Sequence, residues 1–170
     1  MNTDKLFFFI QALLRYFPYQ LGLYLRQKIY PYFFNSFGKN VRIYDSVVIK
    51  YPSQITLGND CTINQFCYIV GKGGLTIGND VMVGAGSKMT TTSHDFERTD
   101  IPMRLQGISC KPIAIEEDVW IGFNVVILGG SVIKKGSIVA TGCVVNGIEF
   151  PIFAVIGGTP AKQLKSRNYN

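Results

Sequence analysis

With 170 residues, 47% of them hydrophobic and only 16% charged, the chain is long enough for one well-buried domain, short for two and too apolar for disorder. Its net charge of +6 fits a phosphorylated ligand, a membrane surface or nucleic acid; Lys and Arg are spread over both ends rather than gathered in one run, so charge alone does not choose. Four cysteines without a Cys-x-x-Cys pair and a single histidine, His94, exclude most zinc patterns and lead us to expect a reduced, cytosolic chain without a metal.

Residues 4–34 read as two short helices divided by Pro18 and ended near Pro31. The first is apolar almost all round; the second puts Leu21, Leu25 and Ile29 on one stripe. The run LFFFIQALL is too short to span a bilayer, and no small-x-small cleavage site follows it. Two destinations compete for the aromatic face of segment 1–36. It caps the body or packs between subunits, or it lies peripherally on the inner face of the cytoplasmic membrane.

From Phe37 a six-residue period takes over. Three stretches starting at Phe37, Leu57 and Ile77 align at a spacing of 20, each made of three hexads plus two residues; hexads resume over 115–132 and 133–150. All fifteen opening positions are apolar, and at this composition the chance of that is about 10⁻⁵, which makes the period a signal. The fifth position is Val, Ser, Cys or Gly in every unit except the one ending at Glu149-Phe150, so Cys61, Cys67 and Cys143 read as compact fillers. The pattern describes a triangular coil: short strands turn at corners, branched side chains point inward and small residues fit the crowded interior. Gly and Asn at the second and third positions, as in Gly58-Asn59 and Gly78-Asn79, suit corners needing positive φ. The body is residues 37–150, about five coils, with flat sides suited to packing between subunits.

Residues 95–112, polar and charged, interrupt the period as an ejected loop directly after His94. After Phe150, the segment 151–170 is expected to leave the repeat through a Pro, a Gly-Gly and a basic tail.

Three motifs, IGNDV running on to His94, DVWIG at 118–122 and IGGTPAK at 156–162, make the chain resemble the hexapeptide-repeat acyltransferases, and within them the sugar O-acetyltransferases acting on galactosides, maltose, capsules or O-antigens. The resemblance covers 37–165 and implies an all-β left-handed parallel β-helix, usually a homotrimer with active sites between subunits. It implies acetyl-CoA as co-substrate, a saccharide acceptor and no nucleic-acid partner. His94 matches the family's general base. Asn64, Asp95 and Trp120 fall toward the acceptor; Gly122, Thr141, Gly142, Asn146, Lys162 and Lys165 fall along the acetyl-CoA groove. Asn146-Gly147 stands where the family often has Thr-Lys, and Leu128-Gly129-Gly130-Ser131 replaces Asn-Pro-Gly-Val.

The chemistry agrees with that assignment. A sugar hydroxyl is a poor nucleophile until a base removes its proton, and neutral imidazole suits that role. Asp95 or Glu97 is placed to orient the second ring nitrogen, or is merely a solvated loop acid. Asn64 either positions a hydroxyl or forms an internal amide ladder. Trp120 stacks on a ligand or covers a subunit face. Lys134, Lys135, Lys162, Lys165 and Arg167 are cations for the CoA phosphates. An antibiotic or serine acetyltransferase shares these features apart from the acceptor, and a structural solenoid is the reading without chemistry.

Overall fold

A computed structural model describes residues 3–17 and 19–167. Two helices, α1 (Thr3–Leu14) and α2 (Tyr19–Ile29), precede a triangular solenoid of short parallel strands; Pro18, expected between them, lies outside the described residues.

The solenoid has three faces. The first stacks Ser36–Phe37, Ile55–Leu57, Leu75–Ile77, Ile113–Ile115 and Val132–Ile133; the second begins Arg42–Ile43, Thr62–Ile63, Met82–Val83, Trp120–Ile121 and Ile138–Val139; the third runs from Val48–Lys50 to Val144–Asn146. The registers are those of the repeat. Phe37 lies on Leu57, Leu57 on Ile77, Ile77 on Ile115 and Ile115 on Ile133, with equivalent columns on the other faces. Fourteen of the fifteen opening side chains are buried; Phe37, half-buried, packs edge-on against Phe34 with ring centroids 5.1 Å apart. Each buried Ile, Leu or Val contributes about 1.5–3 kcal/mol, and stacking turns single coils that could not fold alone into one continuous core.

Three expectations change. The chain does not leave the repeat after Phe150: Ala154–Gly157 adds a sixth strand to the second face, with Val139 opposite Ile156, and Lys162–Ser166 folds back antiparallel on it. That step from Val139 to Ile156 is one residue short of the eighteen-residue coil before it, so a strict hexad reading loses the register, although Ala154 and Ile156 are fully buried. The fold is therefore five coils plus a partial sixth. Ser93, at a fifth position, is exposed rather than inward, because the coil turns outward at the buried Thr91.

The corner glycines also work differently. Positive φ falls on the fourth position of the hexad, at Asn40, Asp60, Asp80, Asp118, Ser46, Phe66 and Asn124, not on the second or third. What the second position requires is space. A Cβ on Gly38 would lie 2.3 Å from the Gly58 carbonyl oxygen, and one on Gly58 would lie 2.5 Å from the Gly78 carbonyl carbon. Both obstacles are backbone and cannot yield, so Gly58→Val is expected to destabilise by about 3 kcal/mol, read as a lowered midpoint in denaturant unfolding.

The helices close the first coil. In the stack, the N–H groups of each coil donate to carbonyls of the next, as Arg42 does to Cys61 and Tyr44 to Ile63, which leaves the first coil's outer edge unpaired. Gln11 of α1 takes the place of a missing strand: its Oε1 accepts from the Ile49 N–H at 2.6 Å and its Nε2 donates to the Ile49 carbonyl at 3.1 Å. Gln27 donates to Val41 O at 3.0 Å, and Arg26 Nε to Ile43 O at 2.7 Å. Phe7, Tyr30, Phe33 and Phe34 fill the open end of the core, with Phe7 and Tyr30 edge-to-face at 4.9 Å.

Candidate active site

The coil opens at the corner between the third and first faces. Thr91 fixes the exit: its Oγ1 donates to Val70 O at 2.9 Å and accepts from Gly73 N at 2.8 Å. Its carbonyl accepts from Lys111 N at 2.9 Å, so the departing and returning chains meet at a closed neck. Beyond the neck the chain forms an antiparallel arm, Thr92–His94 on Ile108–Cys110, with His94 opposite Ile108. The ejected segment thus begins ahead of His94, and His94 stands on the arm itself. At the tip, the Gln106 amide donates to Arg98 O at 2.7 Å and Ile101 O at 3.1 Å while accepting from Arg98 N at 2.9 Å, and Arg98 pairs with Asp100. The guanidinium of Arg98 holds the exposed Asp100 carboxyl below its usual range.

The arm and the coils after it enclose a cleft of about 470 Å³. His94, Asp95 and Glu97 line it from the arm; Leu128, Gly129 and Asn146 line it from the third-face strands and the corner beyond, with Lys111 at the neck. Of the expected site residues this cleft gathers His94, Asp95 and Asn146. Lys111 and Gly129 were missed, and a signal for them existed: an inserted loop must return beside its point of departure, so the residue before Pro112 has to lie near Thr91. Gly129 is small for a local reason, since a Cβ there would sit 2.8 Å from the Lys111 carbonyl oxygen.

His94 is exposed, and no side chain among the described residues hydrogen-bonds its ring. Neither Asp95 nor Glu97 hydrogen-bonds the ring; the Asp95 carboxylate lies against Gly107, and its backbone N–H donates to Gly107 O at 3.3 Å.

The remaining expected residues lie elsewhere on the protomer. Asn64 is at the corner between the second and third faces, where its Nδ2 donates to Val83 O at 2.8 Å, the internal ladder bond that the sequence allowed. Gly122 stacks directly beneath Thr141, and Thr141 Oγ1 accepts from Phe123 N at 3.3 Å. Gly142 has φ 73° and nothing within 4 Å of where a Cβ would lie. Trp120, 48% exposed, stands on the second face between Met82 and Ile138, with exposed Phe66 and Phe123 at the adjoining corner.

The candidate cations divide. Lys134 bridges Glu116 at 3.4 Å and Glu149 at 3.2 Å, Lys135 meets Glu117 at 2.6 Å, and Arg167 reaches Asp118 at 3.2 Å and the Gly136 carbonyl at 2.7 Å. The hydrogen bonds that Lys134 donates to Glu149 and then to Glu116 raise its pKa. These three bind the coils to one another. Lys162 and Lys165, exposed on the last strand, make no ion pair among the described residues. The open corner at Thr141 and Gly142 with two such lysines beyond it suits a long, thin ligand ending in phosphates.

Cys61, Cys67 and Cys143 are buried fillers; burial pushes the Cys67 thiol up to about 11 and raises the other two. They are poor nucleophiles. Native protein treated with maleimide at neutral pH should therefore gain one adduct, on exposed Cys110, and four only after unfolding, as read by intact mass.

No family model matches the chain. It is similar to a putative lipopolysaccharide-biosynthesis O-acetyl transferase of Escherichia coli K12, with 31% identity over 68% of this chain and 62% of that protein. A tetrahydropyridine-dicarboxylate N-acetyltransferase of Staphylococcus aureus is 40% identical over 53% of this chain and 32% of its own length. The chain therefore spans less than two thirds of either curated relative. Among solved structures, a hexapeptide-repeat acetyltransferase of Vibrio cholerae, complexed with acetyl-CoA, superposes with a TM-score of 0.86 and 29% identity over 96% of this chain and 86% of that one.

Proposed function

We propose that this chain, which belongs to the hexapeptide-repeat acyltransferase superfamily, moves an acetyl group from acetyl-CoA to a sugar hydroxyl of a surface polysaccharide or its precursor. The observation carrying the reading is an unpaired, exposed imidazole in a cleft where the solenoid opens. As the hydroxyl oxygen bonds to the thioester carbonyl carbon, His94 Nε2 or Nδ1 takes its proton; the carbon–sulfur bond then breaks and the imidazolium returns a proton to the departing thiolate. No acyl-enzyme is needed, in keeping with the burial of Cys61, Cys67 and Cys143. A backbone N–H at a corner serves the oxyanion.

The His94 cleft and the corner carrying Asn64, Gly122, Thr141 and Gly142 lie at different corners of one protomer. We place them together across an interface, with the second face, Met82 and Trp120 included, packed against a neighbouring copy in a homotrimer. Acetyl-CoA then lies along Thr141 and Gly142, its phosphates toward Lys162 and Lys165.

A second reading, transfer to an amine, is favoured by the N-acetyltransferase similarity. Thiol release from acetyl-CoA, assayed against neutral saccharides, carrier-linked oligosaccharides and amino sugars, separates the two. Release with hydroxyl-only acceptors supports O-transfer; release confined to amino sugars, with the acetyl on nitrogen, contradicts it.

A further inference from the structure

We infer that the outer face of the helical cap is a docking surface for an anionic lipid bilayer, with α1 lying flat in the headgroup region. This inference is independent of the acetyl-transfer reading.

The first helix carries apolar side chains on both of its sides. Inward, Phe7 enters the core and Gln11 pairs the edge of the first coil, while the outward positions of α1 after Lys5 are Phe8, Phe9, Ala12 and Leu13, with exposed Tyr16 just past its end. On α2, Leu21 and Tyr24 are exposed as well. Because Gln11 and Arg26 hold the inner side to the edge of the first coil, these exposed side chains are turned away from the coil stack. A continuous exposed patch of this kind marks a binding surface.

Charge selects the occupant. The rim carries Lys5, Arg15 and Lys28, with the Arg15 guanidinium 4.6 Å above the Tyr16 ring and the Lys28 Nζ 5.8 Å from that of Tyr24. The only acidic residue from 3 to 34 is Asp4, whose Oδ2 accepts from the Ser53 hydroxyl at 3.1 Å. A second copy docked face to face would oppose cation to cation with no free carboxylate between them, whereas an anionic lipid surface meets both the rings and the rim. Beside α1, a groove of about 550 Å³ is lined by Lys5, Lys50, Phe8, Tyr51 and Asp4; the Asp4 carboxylate is held by the Ser53 hydroxyl, which leaves the two ammonium groups to meet one headgroup phosphate. No helix among the described residues is long and apolar enough to cross a membrane.

Flotation of the full chain with phosphatidylcholine vesicles, with and without phosphatidylglycerol, tests the inference. Wild type should float with the anionic vesicles and less so as salt rises. Lys5→Gln/Lys28→Gln should weaken partitioning about thirtyfold. Phe9→Glu/Leu13→Glu should abolish it while leaving the melting temperature, the sedimenting mass and thiol release on soluble acceptors unchanged. Wild type that stays behind, a Phe9→Glu/Leu13→Glu variant that floats as wild type does, or one whose sedimenting mass falls, revealing a second copy as the occupant, would each overturn it.

Discussion

Replacing His94 with alanine is expected to lower thiol release from acetyl-CoA by about 10²–10⁴-fold with the fold unchanged. The prediction is sharp because the ring is exposed and bonded to no side chain among the described residues, so its removal leaves no cavity and no orphaned partner. Circular dichroism and melting should match wild type, and the loss should appear in kcat, since the base acts on the proton in transit rather than on substrate binding. The arm carrying it is closed at the Thr91–Lys111 neck, which holds the base in place without a carboxylate behind it.

Arg26→Ala should cost about 3–4 kcal/mol, the largest stability loss expected for a residue outside the coils. Arg26 is 2% exposed, and burial lowers its pKa from the ordinary value. Besides Ile43 O it donates to Leu14 O at 2.9 Å and Phe17 O at 3.1 Å, tying the end of α1 to the first coil. Removing it strands three carbonyls. A lysine, a point charge without the planar fork, should restore only part of the loss. In a solenoid the damage spreads from the end inward, so hydrogen exchange should show the Ile49 amide losing protection while the amides of the Trp120–Ile121 strand keep theirs.

The columns of the core were legible because one side chain per hexad must face inward and every coil repeats that demand; Leu57 on Ile77 and Ile127 on Val145 follow from spacing alone. The corners were read less well. Gly58 and Gly78 looked like residues chosen for positive φ, yet stacked backbones would crowd any Cβ there, and the left-handed residues are Asp60 and Asp80 two places later. The sixth strand was hidden by a single missing residue, and Phe153, at φ 57°, takes the corner that Gly136 takes one coil earlier. Spacing also held a signal for the coil-binding ion pairs: Glu116 and Lys134, and Glu117 and Lys135, are eighteen apart, one coil, so opposite charges there must stack.

At the site, the sequence singled out His94 by its position at the interruption. It left Asn64 open between a hydroxyl and an internal ladder bond, and did not indicate that Arg167 would turn back to Asp118, because both depend on where corners and the last strand come to rest. Nor does spacing separate residues sharing a cleft from residues at another corner. That separation is what makes a neighbouring copy necessary to the proposed site.

The central claim, a His94 base acting on a donor held by another subunit, is tested most directly by subunit mixing. His94→Ala and Thr141→Trp, each inactive alone, should on co-assembly return roughly a quarter of wild-type thiol release, because random mixing leaves that share of interfaces with both an intact base and an intact groove. Mixed oligomers as inactive as either parent would contradict it.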